Sequence, residues 1–119
     1  MKALLFISHG SRSKQSTEEN KKLALEIAEQ SGISMVEYAF LELQSPSIFE
    51  GAEACIKRGA RKIIVLQHFL NSGKHILKDI PEILAELQKK YSEVSFHKMP
   101  PIGLHKDILK LYLDQISKG

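Results

Sequence analysis

Short apolar runs alternate along the chain with longer stretches in which apolar positions recur every three or four residues. Ala3 to Ile7 is a continuous apolar run of strand length. From Ser16 to Gln30 the spacing becomes helical, with Leu23, Ala24, Ile27 and Ala28 along one face. Thr17 ahead of Glu18 and Glu19 marks the start of this helix, and Ser31-Gly32 its end. Met35 to Phe40 predicts a second strand, broken in polarity by Glu37. Ser45-Pro46 opens a second helix, serine at the cap and proline in the first turn, which runs to about Arg58 and is closed by Gly59. Lys62 to Leu66, KIIVL, is the clearest strand: its β-branched run is apolar on both faces, as in a sheet covered on both sides. Asp79-Ile80-Pro81 predicts the start of a third helix, with Ile83, Leu84 and Leu87 facing inward. Val94 to Lys98 is a short fourth strand stopped by Pro100-Pro101. Leu104 to Ile116 predicts a last helix, with Leu104, Ile108, Leu111 and Tyr112 on one stripe that packs on the sheet or supplies a dimer face.

The order is βαβαβαβα within a single domain, residues 1–119, with no linker, low-complexity segment or evident repeat. Such alternation predicts an α/β fold: three layers, α/β/α, around a four-stranded, mostly parallel sheet with right-handed crossovers. If the first strand lies between the second and third, as in flavodoxin-like orders, the strand order is 2-1-3-4. Ligands of such sheets sit beyond the carboxyl ends of the strands, which says where to look for chemistry.

Composition narrows the setting. The chain has 119 residues, of which 43% are hydrophobic and 26% charged. A chain this long buries roughly 65% of its unfolded surface and needs no disulfide. Its one cysteine, Cys55, has no partner for an intramolecular bridge, which fits a reducing cytoplasm. No run approaches the ~18 apolar residues of a membrane span, and no signal peptide is read at the N-terminus. The net charge of +3 is scattered rather than gathered in a stripe, so it suits a small anionic ligand at least as well as nucleic acid.

Three strand ends carry groups able to bind metal or move protons. The first delivers Ser8, His9 and Gly10, and the second Glu42. The third delivers His68, then Lys74 and His75. Neighbouring strands lie ~4.8 Å apart, so side chains at adjacent tips can converge on one ion. Gly10 and Gly73 suggest loops shaped for close approach. Two imidazoles and a carboxylate make a borderline-soft donor set that suits Co²⁺, Ni²⁺, Fe²⁺ or Zn²⁺ better than Mg²⁺ or Ca²⁺. His68 reads first as structural or solvent-facing, with an extra ligand as the alternative, and His97 and His105 as incidental.

The stretches LLFISHGSR, FLELQSPSI and FLNSGKHILKDIP resemble the three signature blocks of the small CbiX-type sirohydrochlorin chelatases. These are class II chelatases, as are the ferrochelatases and the larger cobaltochelatases. The resemblance runs from the first strand through the third helix. Gln67 stands where the family often has proline. It implies a chelatase-like fold and a homodimer with an active site in each subunit. It also implies insertion of a divalent metal, Co²⁺ first, with Ni²⁺ or Fe²⁺ as alternatives, into sirohydrochlorin, a tetrapyrrole with eight carboxylates. By the same resemblance His9 and His75 match the family's metal-binding histidines and Glu42 its acidic residue near the macrocycle. The metal is then a substrate, with no cofactor permanently bound. Arg12, Lys14, Lys74 and Lys78 flank the histidine blocks as counter-charges for the carboxylates, Arg12 foremost because guanidinium binds carboxylate in a bidentate way. Ser11, Asn71 and Ser72 donate hydrogen bonds there or shape the loops.

Two other readings share these residues. A non-catalytic carrier of metal or tetrapyrrole would use the same ligands without turnover. A histidine-dependent phosphatase is superficially echoed by SHGSR, but serine occupies the place of the arginine that should precede the histidine.

Overall fold

The computed structural model describes residues 1–42 and 44–119, apart from the side chain of His75. The elements run β1 (Lys2–Ser8), α1 (Lys14–Ser31), β2 (Val36–Phe40), α2 (Ile48–Lys57), β3 (Lys62–Gln67), α3 (Lys74–Lys90), β4 (Ser95–Lys98), a 3-10 turn (Ile102–Leu104) and α4 (Ile108–Lys118). The four strands form one parallel sheet in the order β2-β1-β3-β4. Leu5 of β1 lies between Glu37 of β2 and Val65 of β3, so the first and third strand tips are neighbours, as the α/β pattern predicts.

The strands lie where the apolar runs place them, within a residue at most ends. The helices shift more. The α1 cap is Ser13, whose hydroxyl accepts from the Ser16 amide, and the helix ends at Gly32 with a φ of +79°. The α2 cap is Ser47, not Ser45. The Ser47 hydroxyl accepts from the Glu50 amide and the Glu50 carboxylate accepts from the Ser47 amide, a reciprocal capping box. The start of α3 lies at Lys74, five residues before the predicted Asp79, and Pro81 falls inside the helix. Burial explains the extension. Ile76, Ile80, Leu84 and Leu87 share a buried face, so packing of the residues ahead of the proline outweighs the backbone bond it forgoes. Lys74 and His75 thus begin a helix rather than lie in a loop.

The two sides of the sheet differ. On one side β1 and β3 send Ala3, Leu5, Ile7, Ile63 and Val65 into a closed core with α2 and α3, which adds Ile48, Ala52, Cys55, Ile80 and Leu87. Each fully buried aliphatic side chain there contributes about 1.5–3 kcal/mol relative to exposure. A surface link joins the two helices: Glu53 of α2 accepts from the Lys90 ammonium at 2.8 Å and from the hydroxyl of Tyr91, just past α3. On the other side α1 covers β2 and β1 through Ala24 and Ala28, and its cover stops short of β3 and β4. Ile64 and Leu66 of β3 are consequently only half-buried, although KIIVL is apolar on both faces. The last helix does not cover them. No residue of α4 is buried, and Leu104, predicted on its apolar stripe, belongs instead to the preceding 3-10 turn.

Candidate functional site

The carboxyl ends of β1 and β2 are joined by backbone hydrogen bonds that continue beyond the strands. The Leu41 amide donates to the Ser8 carbonyl at 2.8 Å and the Glu42 amide to the His9 carbonyl at 3.0 Å. His9 and Glu42 are therefore held side by side at one edge of the sheet, both with exposed side chains. The third strand joins the same edge: the His68 amide donates to the Ile7 carbonyl at 2.8 Å. The His9 ring rests edge-on against Phe69, centroids 4.6 Å apart, which orients the imidazole from the β3 side. Phe69 is itself buried.

Gly10 is needed here for a reason other than a ligand's approach. Its φ is +102°, and a β-carbon added there would run into the carbonyl oxygen of Glu42. Glycine at this place lets the loop after β1 and the loop after β2 touch backbone to backbone. Gly73 has ordinary extended backbone and open space around it, so nothing in the fold requires glycine there. It forms the N-cap of α3, with no side-chain hydrogen bond at the cap.

Gln44 completes the edge, and sequence reasoning passed over it. Its Oε1 accepts from the Ser11 amide at 2.6 Å and its Nε2 donates to the Thr17 hydroxyl at 2.8 Å. One side chain thereby fastens the β2–α2 loop to the β1–α1 loop and to the first turns of α1. The only signal was its place in the FLELQSP block, where a side-chain amide can serve as donor and acceptor at once.

The remaining candidates are placed as follows. Ser11 is half-buried, and its hydroxyl accepts from the Ser13 amide at 3.0 Å, so it shapes the turn into α1. Arg12, Lys14, Asn71, Lys74 and Lys78 are exposed and Ser72 half-exposed, on the loops and helix starts that follow β1 and β3. His75 is the second residue of α3, on the edge where His9 and Glu42 lie; the reading of its side chain as a metal ligand lies outside the described residues. Among the described residues no cluster of three His, Cys, Asp or Glu side chains is ready to hold an ion. His68 belongs elsewhere. Its ring packs on Phe6 with centroids 5.1 Å apart, and burial holds it below the ordinary histidine pKa, as expected of a structural imidazole. His97 and His105 are exposed, His97 on β4 and His105 past the 3-10 turn. No described helix is long and apolar enough to cross a membrane.

Known proteins resemble this chain in sequence and fold. The chain is 32% identical over 114 residues to the chloroplastic sirohydrochlorin ferrochelatase of Arabidopsis thaliana, covering 96% of this chain and 51% of that one. It is 32% identical over 119 residues to the sirohydrochlorin cobaltochelatase of Sulfolobus acidocaldarius, covering 100% and 93%. It superposes on the crystal structure of the sirohydrochlorin chelatase SirB from Bacillus subtilis subspecies spizizenii in complex with cobalt with a TM-score of 0.87 and 32% identity, over 98% of this chain and 50% of that one. The chain spans about half the length of several curated relatives it matches. The CbiX family model matches residues 3–119, and the chain belongs to the CbiX family.

Proposed function

We propose that this protein is a sirohydrochlorin chelatase that places a divalent metal in the macrocycle and releases two pyrrolic protons. The observation that carries the reading is the joined edge of the sheet, where His9 and Glu42 are locked together by the 3.0 Å backbone bond beside the tip of β3 and the start of α3. His9 and His75 hold the incoming ion, and water fills the rest of its shell until ring nitrogens replace it. Neutral imidazole is a good ligand for late first-row ions and can release them to a chelating macrocycle. Glu42, exposed to solvent next to His9, orients the macrocycle or accepts a proton displaced by the metal. The charge balance is simple: M²⁺ enters, two N–H bonds break, and two protons leave through carboxylate and water.

The substrate's carboxylates meet Arg12 and Lys74, with Lys14 and Lys78 further out. Ser11, Asn71 and Ser72 supply hydrogen bonds at the rim. The metal passes through as substrate and does not remain as a cofactor. Co²⁺ is the preferred ion, a choice supported by the name of the Sulfolobus relative, which this chain matches end to end. The enzyme works as a homodimer in a reducing cytoplasm, where its lone thiol stays free.

The test is anaerobic incubation of sirohydrochlorin with Co²⁺, Ni²⁺ and Fe²⁺ in parallel, followed by absorbance. Catalysed insertion above the spontaneous rate, fastest with Co²⁺ and reduced at least tenfold in both His9→Ala and His75→Ala, is the expected result. Wild-type rates in both variants would remove the assignment. Stoichiometric binding without turnover would make the protein a carrier.

A further inference from the structure

The chain that follows β4 is fixed to the end of β3 at two points. The Met99 amide donates to the Val65 carbonyl at 3.0 Å, and further on the Gly103 amide donates to the Phe69 carbonyl at 2.9 Å. Between these ties stand Pro100 and Pro101, whose rings fix φ, and Pro101 is buried. The 3-10 turn closes the span, its Leu104 amide donating to the Pro101 carbonyl at 3.0 Å. A segment tied at both ends and stiff in the middle holds in place what it touches.

What it touches is the residue behind His9. Phe69 accepts the second tie at its carbonyl and carries the ring on which the His9 imidazole rests. The contact is backbone against backbone. A β-carbon on Gly103 would run into the carbonyl of Leu70, so the turn lies directly on residues 69–70. A shift of the turn is therefore a shift of Phe69.

Gln67 secures the first end. Its side chain is buried, and its Nε2 donates to the Met99 carbonyl at 2.6 Å. Its Oε1 is buried as well and has no hydrogen-bond partner among the described residues. An unpaired buried acceptor destabilises by at least as much as one hydrogen bond stabilises, so fold stability does not account for an amide here. A leucine would fill the space with no unpaired atom.

From these contacts we infer that residues 99–103 form a strut that sets the His9 imidazole through Phe69, with Gln67 and Gly103 as positioning residues for the metal site. The inference rests on the reading of His9 as a metal ligand. The His9 side chain is exposed, so the rotation of its ring is limited by what stands behind it. A ligand ring works only when neighbouring groups hold it close to its productive position. Loss of such support weakens metal binding by about tenfold or more.

The experiment uses the full chain with Gln67→Leu, Gly103→Ala, Phe69→Leu, and Gln67→Leu combined with Phe69→Leu. The ring protons of His9, identified by their loss in His9→Asn, report the Phe69 ring current in nuclear magnetic resonance spectra taken without metal. Calorimetry with Co²⁺ alone gives affinity, and thermal unfolding gives stability. In Gln67→Leu the His9 signals should move toward those of Phe69→Leu, while Co²⁺ affinity and kcat fall about tenfold. KM for sirohydrochlorin should not change, and the unfolding midpoint should be at or above that of wild type. Gly103→Ala should show the same His9 shift and loss of affinity, and if it fails to fold Gln67→Leu decides alone. The combined variant should be no worse than Phe69→Leu, because both changes act through one ring. Wild-type His9 signals in Gln67→Leu would overturn the strut, as would losses that multiply in the combined variant. A fall in affinity matched by an equal fall in stability would make Gln67 a structural residue and end the inference. Absence of both Co²⁺ binding and insertion in wild type would instead end the reading of His9 as a ligand, and the metal-free spectra would still decide whether residues 99–103 hold its ring.

Discussion

A β-carbon on Gly10 would lie 2.0 Å from the carbonyl oxygen of Glu42. Two requirements meet at this residue: a φ of +102° and a backbone contact with no room for a side chain. Gly10→Ala should cost about 2–3 kcal/mol in stability from the backbone conformation alone, and more if the Glu42 loop resists displacement. Since that loop must move to make room, His9 and Glu42 should also lose their mutual position. Metal insertion should fall further than the folded fraction does. Thermal unfolding and insertion rate measured on one preparation check this, and a variant that insists on glycine for stability alone would retain full specific activity per folded molecule.

Gln44 acts on the same edge through side-chain hydrogen bonds. Replacing it with Ala removes the acceptor for the Ser11 amide and the donor to Thr17. Each bond is worth about 1 kcal/mol net, so Gln44→Ala should lower stability by about 1–2 kcal/mol. The Ser11–Arg12 turn should loosen with it, and KM for the anionic macrocycle should rise more than kcat falls. Steady-state kinetics on Gln44→Ala and Gln44→Glu separate the two effects. The Glu variant keeps an acceptor for Ser11 and loses the donor to Thr17, so it should recover part of the KM.

What was legible in the sequence follows the kind of force involved. Strand placement rests on local apolar runs such as ALLFI and KIIVL, and those positions needed no tertiary information. The tips bearing His9 and Glu42 followed from parallel order alone. Helix starts were less legible because they depend on competition. The Pro81 signal argued for a start at Asp79, yet burial of Ile76 and Ile80 carried α3 back to Lys74. Gln44 was invisible because its role depends on Thr17, 27 residues away. The position of α4 was open for a further reason: its amphipathic pattern reports that a face must be covered, not which molecule covers it.

His68 gives a pH dependence whose sign follows from its burial against Phe6. Burial lowers its pKa in the folded state, so between the folded value and the unfolded value near 6.5 the unfolded chain binds more protons. Stability from this residue is complete above about pH 6.5 and is lost as pH falls toward and through the lowered value. His68→Asn cannot titrate in this range. Denaturation midpoints measured from pH 7.5 down to 5 should fall more steeply in wild type than in His68→Asn, once the loss of ring contact common to all pH values is subtracted. Parallel slopes would mean that the imidazole remains as well hydrated in the fold as outside it.

Cys55 offers the cleanest probe of the closed side of the sheet. Its side chain has no solvent exposure, and desolvation pushes the thiol pKa up to about 12. At pH 8 only about one part in 10⁴ of such a thiol is ionised, against about a quarter of an ordinary cysteine with pKa near 8.5. Exclusion from solvent slows reaction further, so modification should proceed through opening of the α2–sheet–α3 core rather than through the native state. A chromogenic disulfide reagent should titrate one thiol per chain in guanidinium and almost none in native buffer over the same minutes. Gly10→Ala acts on the opposite end of this relation. If it destabilises the core and not only the β1 and β2 loops, the native labelling rate of Cys55 should rise in proportion to the lost stability, about tenfold for each 1.4 kcal/mol. If the rate stays at the wild-type level while insertion fails, the damage is confined to the edge that carries His9 and Glu42.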